Sequence, residues 1–368
     1  MVEFVNPLVA LIDRNALKNN IDFIRKLYPD KEIILPVKAN GYGHDDLLIV
    51  NEAATSGVRM FAVARVDEGV TLREKGVVFP ILILGVERGE NVKLAIKHSI
   101  ELSVSDLANL IEIEKVASEV GVKVKVHILV DTGMSRMGVE LSELKSIIQC
   151  IKKSEYLHLA SVFTHFARSD ESVFSIKEQL VIFENARTIF LEHDLIPDFF
   201  HCSNSGGIEN YNGPDWTNAV RPGIMVYGYS QKIGGSDSLI PVMTLTAKVI
   251  HCKDVKKNRA VGYGHTFITS KDVRLATVSI GYADGLPRIC SNNLVVRING
   301  KDYKQCGRIS MDLTVVEVDK KVNVGDTVYI FGSPKYAPLN ANDIANRSGT
   351  ISYEILTGIG NRCLRKIL

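Results

Sequence analysis

Apolar positions alternate between two textures along the first two thirds of the chain. Short, nearly continuous apolar runs read as buried strands at 33–37, 60–63, 81–84, 101–104, 123–130, 158–163, 198–202 and 219–221. Longer amphipathic segments separate most of them. Residues 15–27 carry Leu17, Ile21, Ile24 and Leu27 at helical spacing, and similar patterns cover 46–54, 66–75, 91–98, 107–120, 141–152 and 175–193. Eight strands with intervening helices, the first helix preceding the first strand, predict an α/β fold of the (β/α)8 TIM-barrel type. A doubly wound open sheet is the rival that periodicity leaves standing. After about residue 235 the texture changes to β-branched runs at 245–250, 275–280, 294–298, 313–318 and 327–331. Turn signals such as Asn299-Gly300 and Gly325-Asp326 punctuate them, which predicts a smaller, mainly-β domain behind a Gly234-Gly235-Ser236 linker.

In a barrel, functional side chains come from the carboxyl ends of the strands and the loops that follow. Lys38 stands at such an end, in Pro36-Val37-Lys38-Ala39-Asn40-Gly41-Tyr42-Gly43-His44, directly after Ile33-Ile34-Leu35. Lysine prefers water, so an amine delivered by a buried strand into a glycine-rich turn suggests placement for covalent chemistry. Arg136 follows the fifth strand, His165 the sixth, Asn204-Ser205-Gly206-Gly207 the seventh and Arg221-Pro222-Gly223-Ile224 the eighth. One amine, two guanidiniums and an imidazole would thus gather at one face, an arrangement that is costly unless an anion binds there. The loops after strands seven and eight form the usual phosphate site of a barrel, and here they offer backbone N–H groups and the Ser205 hydroxyl. Taken singly, each glycine reads as a turn and His165 as a satisfied strand-end histidine. Taken together, a lysine for capturing a carbonyl beside a phosphate cradle points to pyridoxal 5′-phosphate.

Composition narrows the classes. A length of 368 residues suffices for two cores. Forty-four basic against 42 acidic residues leave a net charge of +2, and no basic cluster carries interleaved aromatics. That balance argues against a general role on nucleic acid or a membrane surface. No apolar run approaches the length of a membrane span. Cys150, Cys202, Cys252, Cys290, Cys306 and Cys363 lie far apart with no CxxC pair, so they read as reduced core thiols. Met1-Val2-Glu3-Phe4 has no basic start followed by an apolar stretch, and the expectation is a cytoplasmic protein.

The chain resembles the alanine racemases, a family of fold-type III pyridoxal-phosphate enzymes, from Val9-Ala10-Leu11-Ile12-Asp13 to Ile351-Ser352-Tyr353-Glu354. Pro36-Val37-Lys38-Ala39-Asn40 with Tyr42-Gly43-His44 matches the family's cofactor-lysine motif. Asp131-Thr132-Gly133-Met134, Arg221-Pro222-Gly223, Gly262-Tyr263-Gly264, Ile280-Gly281-Tyr282-Ala283-Asp284-Gly285 and Gly307-Arg308-Ile309-Ser310-Met311-Asp312 match in order. The resemblance implies a barrel over 12–233 and a mainly-β domain over 234–368 joined by residues 1–11. It implies that Lys38 carries the cofactor and that Tyr42, Ser205, Gly223, Ile224 and Tyr353 hold its phosphate, with Asn204 opening the same loop. Arg221 would face the ring nitrogen, and His165 would link Arg221 toward Tyr263, the second catalytic residue, supplied by the partner of a homodimer. Arg136 and the Met311 backbone N–H would meet the substrate carboxylate, and Tyr282 would guard the entrance. Three positions depart from the family's pattern. Leu129 stands where a carbamylated lysine often orients the arginine of position 136, Gly41 where alanine is common, and Ser310 where cysteine is common.

Racemisation needs a proton removed on one face of Cα and returned on the other. Lys38 and Tyr263 suit the two faces, provided nearby positive charge lowers both from their reference values near ~10. An arginine at the ring nitrogen keeps that nitrogen unprotonated and limits its pull on electrons. Asp284, Asp312 and Glu354 read as structural partners of nearby arginines such as Arg288 and Arg308. The expected activity is L- to D-alanine interconversion, which would supply D-alanine for cell-wall peptidoglycan. The competing readings are a racemase for serine or a basic amino acid, a fold-type III decarboxylase, and a non-enzymatic cofactor carrier. A carrier resembles the barrel alone, so the β domain argues against it.

Overall fold

The computed structural model describes residues 7–211, 213–235 and 238–368. The tetrapeptide Met1-Val2-Glu3-Phe4 and Ser236 of the expected linker lie outside the described residues. The first strand, β1 (Val9–Ile12), precedes the helix Arg14–Leu27. Asp13 caps that helix by accepting from the Asn15 and Ala16 N–H groups at 2.9 and 3.1 Å, and the helix buries Leu17, Ile21 and Ile24 as their spacing predicts. Then come β2 (Glu32–Pro36), β3 (Met60–Val63), β4 (Ile81–Ile83), β5 (Glu101–Val104), β6 (Val124–Leu129), β7 (Leu157–Phe163), β8 (Phe199–His201) and β9 (Ala219–Val220). These eight parallel strands close into a barrel, because β9 pairs back onto β2 through Glu32 with Ala219 and Ile33 with Val220. Closure removes the open-sheet rival. Strands β2 to β4 are buried along almost their whole length, as continuous apolar runs in a helix-wrapped parallel sheet should be.

The second sheet contains β1 and strands from beyond residue 240. Those are β10 (Met243–Val255), β13 (Val273–Val278), β14 (Val295–Ile298), β15 (Lys301–Lys304), β16 (Thr314–Val318), β17 (Thr327–Phe331) and β18 (Leu364–Ile367), while β11 (Ala260–Val261) and β12 (Phe267–Ile268) lie outside it. Strand β10 organises it. Its first half pairs with β1 and β17; past a register shift between Val249 and His251 its second half pairs with β13. Strand β1 lies between β10 and β18, so the chain's two ends meet in one sheet. The small hairpin of β11 and β12 stands apart and carries Tyr263 between its strands.

All six cysteines are free, and Cys202, Cys290, Cys306 and Cys363 are buried, as core thiols should be. Among the described residues no cluster could hold a metal, and no helix is long and apolar enough to cross a membrane.

Candidate active site

Lys38 leaves β2 into a turn of unusual hand. Ala39, Asn40, Gly41 and Tyr42 hold φ of 52°, 56°, 61° and 52°, a left-handed run that is unfavourable for every residue bearing a Cβ. Gly41 relieves one of those four positions, which gives its departure from alanine a physical sense. Neighbours pin the rest. Glu68 accepts from the Ala39 N–H at 2.6 Å and from the Ala64 N–H at 2.7 Å, while Asn40 Oδ1 accepts from the Asp46 N–H at 3.1 Å. The helix Ser352–Thr357 presses on the turn so closely that a Cβ on Gly43 would lie 2.2 Å from the Leu356 carbonyl oxygen. Tyr42 is thereby wedged between Tyr227, stacked at 4.5 Å, and Tyr353 at 5.9 Å.

Opposite Tyr42, the loops after β8 and β9 meet. Asn204 caps the short helix Ser205–Asn210, and its side chain is committed to Gly207 N–H, the Ser169 hydroxyl and the Phe166 carbonyl. Ser205 Oγ accepts from the N–H groups of Gly223 at 3.0 Å and Met225 at 3.4 Å. A Cβ on Gly223 would come within 2.8 Å of Tyr42 Oη and 3.8 Å of Ser205 Oγ. Glycine therefore leaves open a small polar corner made by a phenol, a hydroxyl and backbone, with Ile224 buried beneath it. A cleft of roughly 520 Å³ adjoins it, lined among others by Met134, His165, Asn204, Gly206 and Tyr353.

The cations converge as the sequence predicts. Burial lowers the Lys38 amine from its ordinary value, Arg136 lowers it further, and Glu68 opposes both. Burial also brings His165 down to about 3, reinforced by Arg221, Arg136 and Lys38, so all four groups lie within electrostatic reach. Arg221 is buried, and burial brings it down to about 10, still protonated at neutral pH. Its guanidinium donates to His201 Nδ1 and to the carbonyls of Thr164 at 2.5 Å and Cys202 at 3.2 Å, and sits over the Phe163 ring. Its bonds thus go to His201 rather than to His165. Arg136 rides on a loop knotted by Asp131, whose Oδ1 accepts from the N–H groups of Gly133, Met134 and Ser135 at 2.9, 3.0 and 3.1 Å. Leu129 is buried beside it, and among the described residues no carboxylate pairs with Arg136.

Tyr263, Tyr282 and Met311 form a separate group on the β domain. They are 70%, 42% and 53% exposed, too open for a finished site within one chain. The Gly262-Tyr263-Gly264 turn lies over Gly307 and Arg308, while the Tyr282 N–H donates to Ser310 O and the Ala283 N–H to Met311 O. Ser310 Oγ ties its own loop by donating to Leu313 O at 2.7 Å. One expectation is corrected here. Asp284 and Asp312 both pair with Arg362, at 2.7 and 2.8 Å, instead of Arg288 or Arg308, and Glu354 accepts from Thr350. Arg362 is 50 residues or more from either acid in sequence, so proximity along the chain misled.

Glu68, Gln179 and the interior polar residues of the barrel escaped sequence reasoning. Gln179 donates to Thr132 Oγ1 at 2.9 Å and to the His165 carbonyl at 3.1 Å, fixing the backbone that carries the imidazole. The usable signal was polar residues inside otherwise apolar strands, such as Glu101, His127 and Ser161.

Residues 12–231 match the family model described as alanine racemase, N-terminal domain, and residues 242–367 match alanine racemase, C-terminal domain. An alanine racemase of Methanococcus maripaludis is 37% identical over 98% of this chain and 98% of its own. Alanine racemase 2 of Caldanaerobacter subterraneus is 34% identical over 99% of this chain and 96% of its own. The solved alanine racemase of Streptomyces coelicolor superposes with a TM-score of 0.93 at 30% identity, covering 99% of this chain and 98% of that one. A histidine racemase from Leuconostoc mesenteroides superposes with 0.91 at 28% identity, covering 99% and 98%.

Proposed function

The chain belongs to the alanine racemase family, and from that membership we propose that it interconverts L- and D-alanine with pyridoxal 5′-phosphate at the carboxyl face of its barrel. It is an isomerase, and supply of D-alanine for cell-wall peptidoglycan is part of this proposal. The observation that carries the reading is Lys38, an amine with lowered basicity held by a strained turn among Arg136, His165 and Arg221. The fold alone does not choose the substrate, since a histidine racemase shares it, but the relatives at 34–37% identity are alanine racemases.

The residues fit the cofactor. The corner that a Gly223 Cβ would fill, between Tyr42 Oη and Ser205 Oγ, suits a phosphate, with Ile224, Asn204 and Tyr353 around it. Burial raises the Tyr42 and Tyr353 phenols, so both remain protonated donors. Arg221, bonded among the described residues only to neutral acceptors, suits a ring nitrogen that accepts a hydrogen bond. Pyridoxal phosphate, when bound, supplies the electron delocalisation that makes the Cα proton removable.

The chain's own groups do the rest. Lys38 Nζ serves as cofactor lysine and as the proton carrier on one face of Cα. Tyr263 of the partner subunit serves the other face. Arg136 and the Met311 N–H hold the substrate carboxylate, and Tyr282 narrows the entrance. In this reading 12–233 is the cofactor-binding barrel, and 234–368 with 1–11 is the domain that enters the partner's site. The exposure of Tyr263, Tyr282 and Met311 supports a homodimer, because a second protomer would cover them. The protein works in the cytoplasm in this proposal, on free amino acids and without nucleic acid or membrane partners.

Borohydride reduction of the yellow protein followed by peptide mass spectrometry should find the cofactor on Lys38. Incubation with L-alanine in deuterated water should give D-alanine labelled at Cα. A different modified lysine, or faster exchange of serine, arginine or histidine than of alanine, would overturn the respective assignment.

A further inference from the structure

Barrel interiors are normally filled by layers of Val, Ile and Leu. This one carries a polar line instead. Glu101 begins β5, His127 lies in β6, Ser161 in β7 and His201 at the end of β8; the last three are 0% exposed and Glu101 8%. His127 and Ser161 are register partners on adjacent strands, and His201 sits two residues beyond Phe199, the partner of Ser161. The line therefore climbs strand by strand from the amino-terminal end of the barrel to Arg221, just past β9.

Valence fixes its direction. Arginine has only donors, so His201 Nδ1 must accept from Arg221. His201 then carries its proton on Nε2 and donates to Ser161 Oγ at 2.9 Å. The Ser161 hydroxyl donates onward to His127 Nδ1 at 2.7 Å. His127, protonated on Nε2, donates to Glu101 Oε2 at 2.9 Å. Glu101 can only accept, and its other oxygen takes Lys125 at 3.1 Å. With His127 a neutral ring, the arginine end and the carboxylate end require the same single arrangement.

We infer that Glu101, His127 and Ser161 are positioning residues for Arg221, a one-way hydrogen-bond chain that fixes which nitrogen His201 presents to the guanidinium. The reverse proton order would set an N–H of His201 against an N–H of Arg221. His201 is Arg221's only side-chain acceptor among the described residues, so the guanidinium would lose its lateral anchor. The electrostatics agree. Burial holds His201 well below its ordinary value, aided by Arg221, so it is neutral. Burial pushes Glu101 up, but the His127 bond and Lys125 bring it below the usual carboxylate range, so it is ionised. The consequence for catalysis rests on the reading of Arg221 as the ring nitrogen's partner; the proton order does not.

The test uses cofactor-free protein labelled with 15N-histidine. Nitrogen shifts of His127 and His201 should report neutral rings protonated on Nε2 between pH 6 and pH 8; a ring protonated on Nδ1, or a charged ring, overturns the chain. Glu101→Gln offers one oxygen where two are needed, so His201 Nε2 should drift toward a mixed tautomer. In the loaded enzyme its kcat for alanine should fall about three- to tenfold with KM unchanged, the worth of one hydrogen bond. Ser161→Ala cuts the line without touching Lys125 and should give the same kcat loss. Unchanged His201 shifts and unchanged kcat in both variants would remove the positioning role. A protein that takes up no pyridoxal phosphate, yet shows the expected shifts, would sink the proposed function and support the chain. A yellow, active protein with reversed rings would sink the chain alone.

Discussion

The phosphate corner can be closed with a single methyl. Gly223 does not use the left-handed region, so its backbone tolerates alanine, and the whole effect of Gly223→Ala falls on what the Cβ meets. That atom would lie 2.8 Å from Tyr42 Oη, well inside a comfortable contact of ~3.5 Å. Tyr42 has little room to yield. It is 6% exposed, stacked on Tyr227 at 4.5 Å, and rooted in the left-handed turn. Overpacking of this kind costs roughly 1–3 kcal/mol. In a barrel of this size each kcal/mol lowers Tm by roughly 2–4 °C. The same methyl occupies the space assigned to phosphate and displaces the Tyr42 donor. Loss of one hydrogen bond to a charged group, worth roughly 1.5–3 kcal/mol, weakens cofactor binding by about tenfold or more. Calorimetry of the cofactor-free protein measures the first effect, and fluorescence titration with pyridoxal phosphate the second. Adding Tyr42→Phe separates them: it removes the atom in conflict and leaves Tyr42 Cζ at 3.5 Å, so Tm should recover while affinity stays low. A single Gly223→Ala variant with wild-type Tm and wild-type affinity would refute both the packing argument and the location of the phosphate.

Glu68→Gln puts an amide N–H where Ala39 and Ala64 each need an oxygen, so hydrogen exchange at the Ala39 amide should accelerate about fivefold or more; unchanged exchange would mean that the turn holds itself. Mixed Lys38→Ala and Tyr263→Phe protomers should regain about a quarter of wild-type activity after full subunit exchange, because half the dimers carry one intact site of two; no recovery despite proven exchange would rule out a shared site. His44 is wholly buried, with Nε2 unpartnered, and burial brings it down to about 4. Its folded pKa lies below the unfolded value near ~6.5, so its contribution is complete above that pH and is lost as pH falls toward 4, about 2 kcal/mol by pH 5. Urea midpoints at pH 7 and pH 5 should therefore differ less in His44→Phe than in the wild type; an equal difference would assign the acid sensitivity elsewhere.

The barrel was legible because its logic is local. Each strand is a short apolar run, each helix has a face, and the carboxyl ends of β2, β6, β7, β8 and β9 bring Lys38, Arg136, His165, Ser205 and Gly223 to one rim. Once strand order is sequential, position at a strand end becomes position in the site. The hydrophobic pattern does not mark strand β1, because nothing local announces that Val9–Ile12 will pair with residues more than 230 positions away; only the family resemblance puts the start of the chain with the β domain. Ion partners fail for the same reason: Arg362 reaches Asp284 and Asp312 only after the chain's end returns to the sheet.

The left-handed turn was hidden differently. Ala39, Asn40 and Tyr42 are ordinary residues in an unfavourable conformation, so no propensity predicts it; tertiary pins such as Glu68 and the helix Ser352–Thr357 impose it. The interior line from Glu101 to Arg221 sits between these cases. A polar residue inside an apolar strand is visible at once, yet singly it reads as an isolated expense of burial. Only the parallel register, which sets His127 beside Ser161 and lifts His201 one step higher, turns four such residues into a chain with a direction. The same register places that chain's last member against Arg221, so the geometry that closes the barrel also selects which nitrogen of His201 the guanidinium meets.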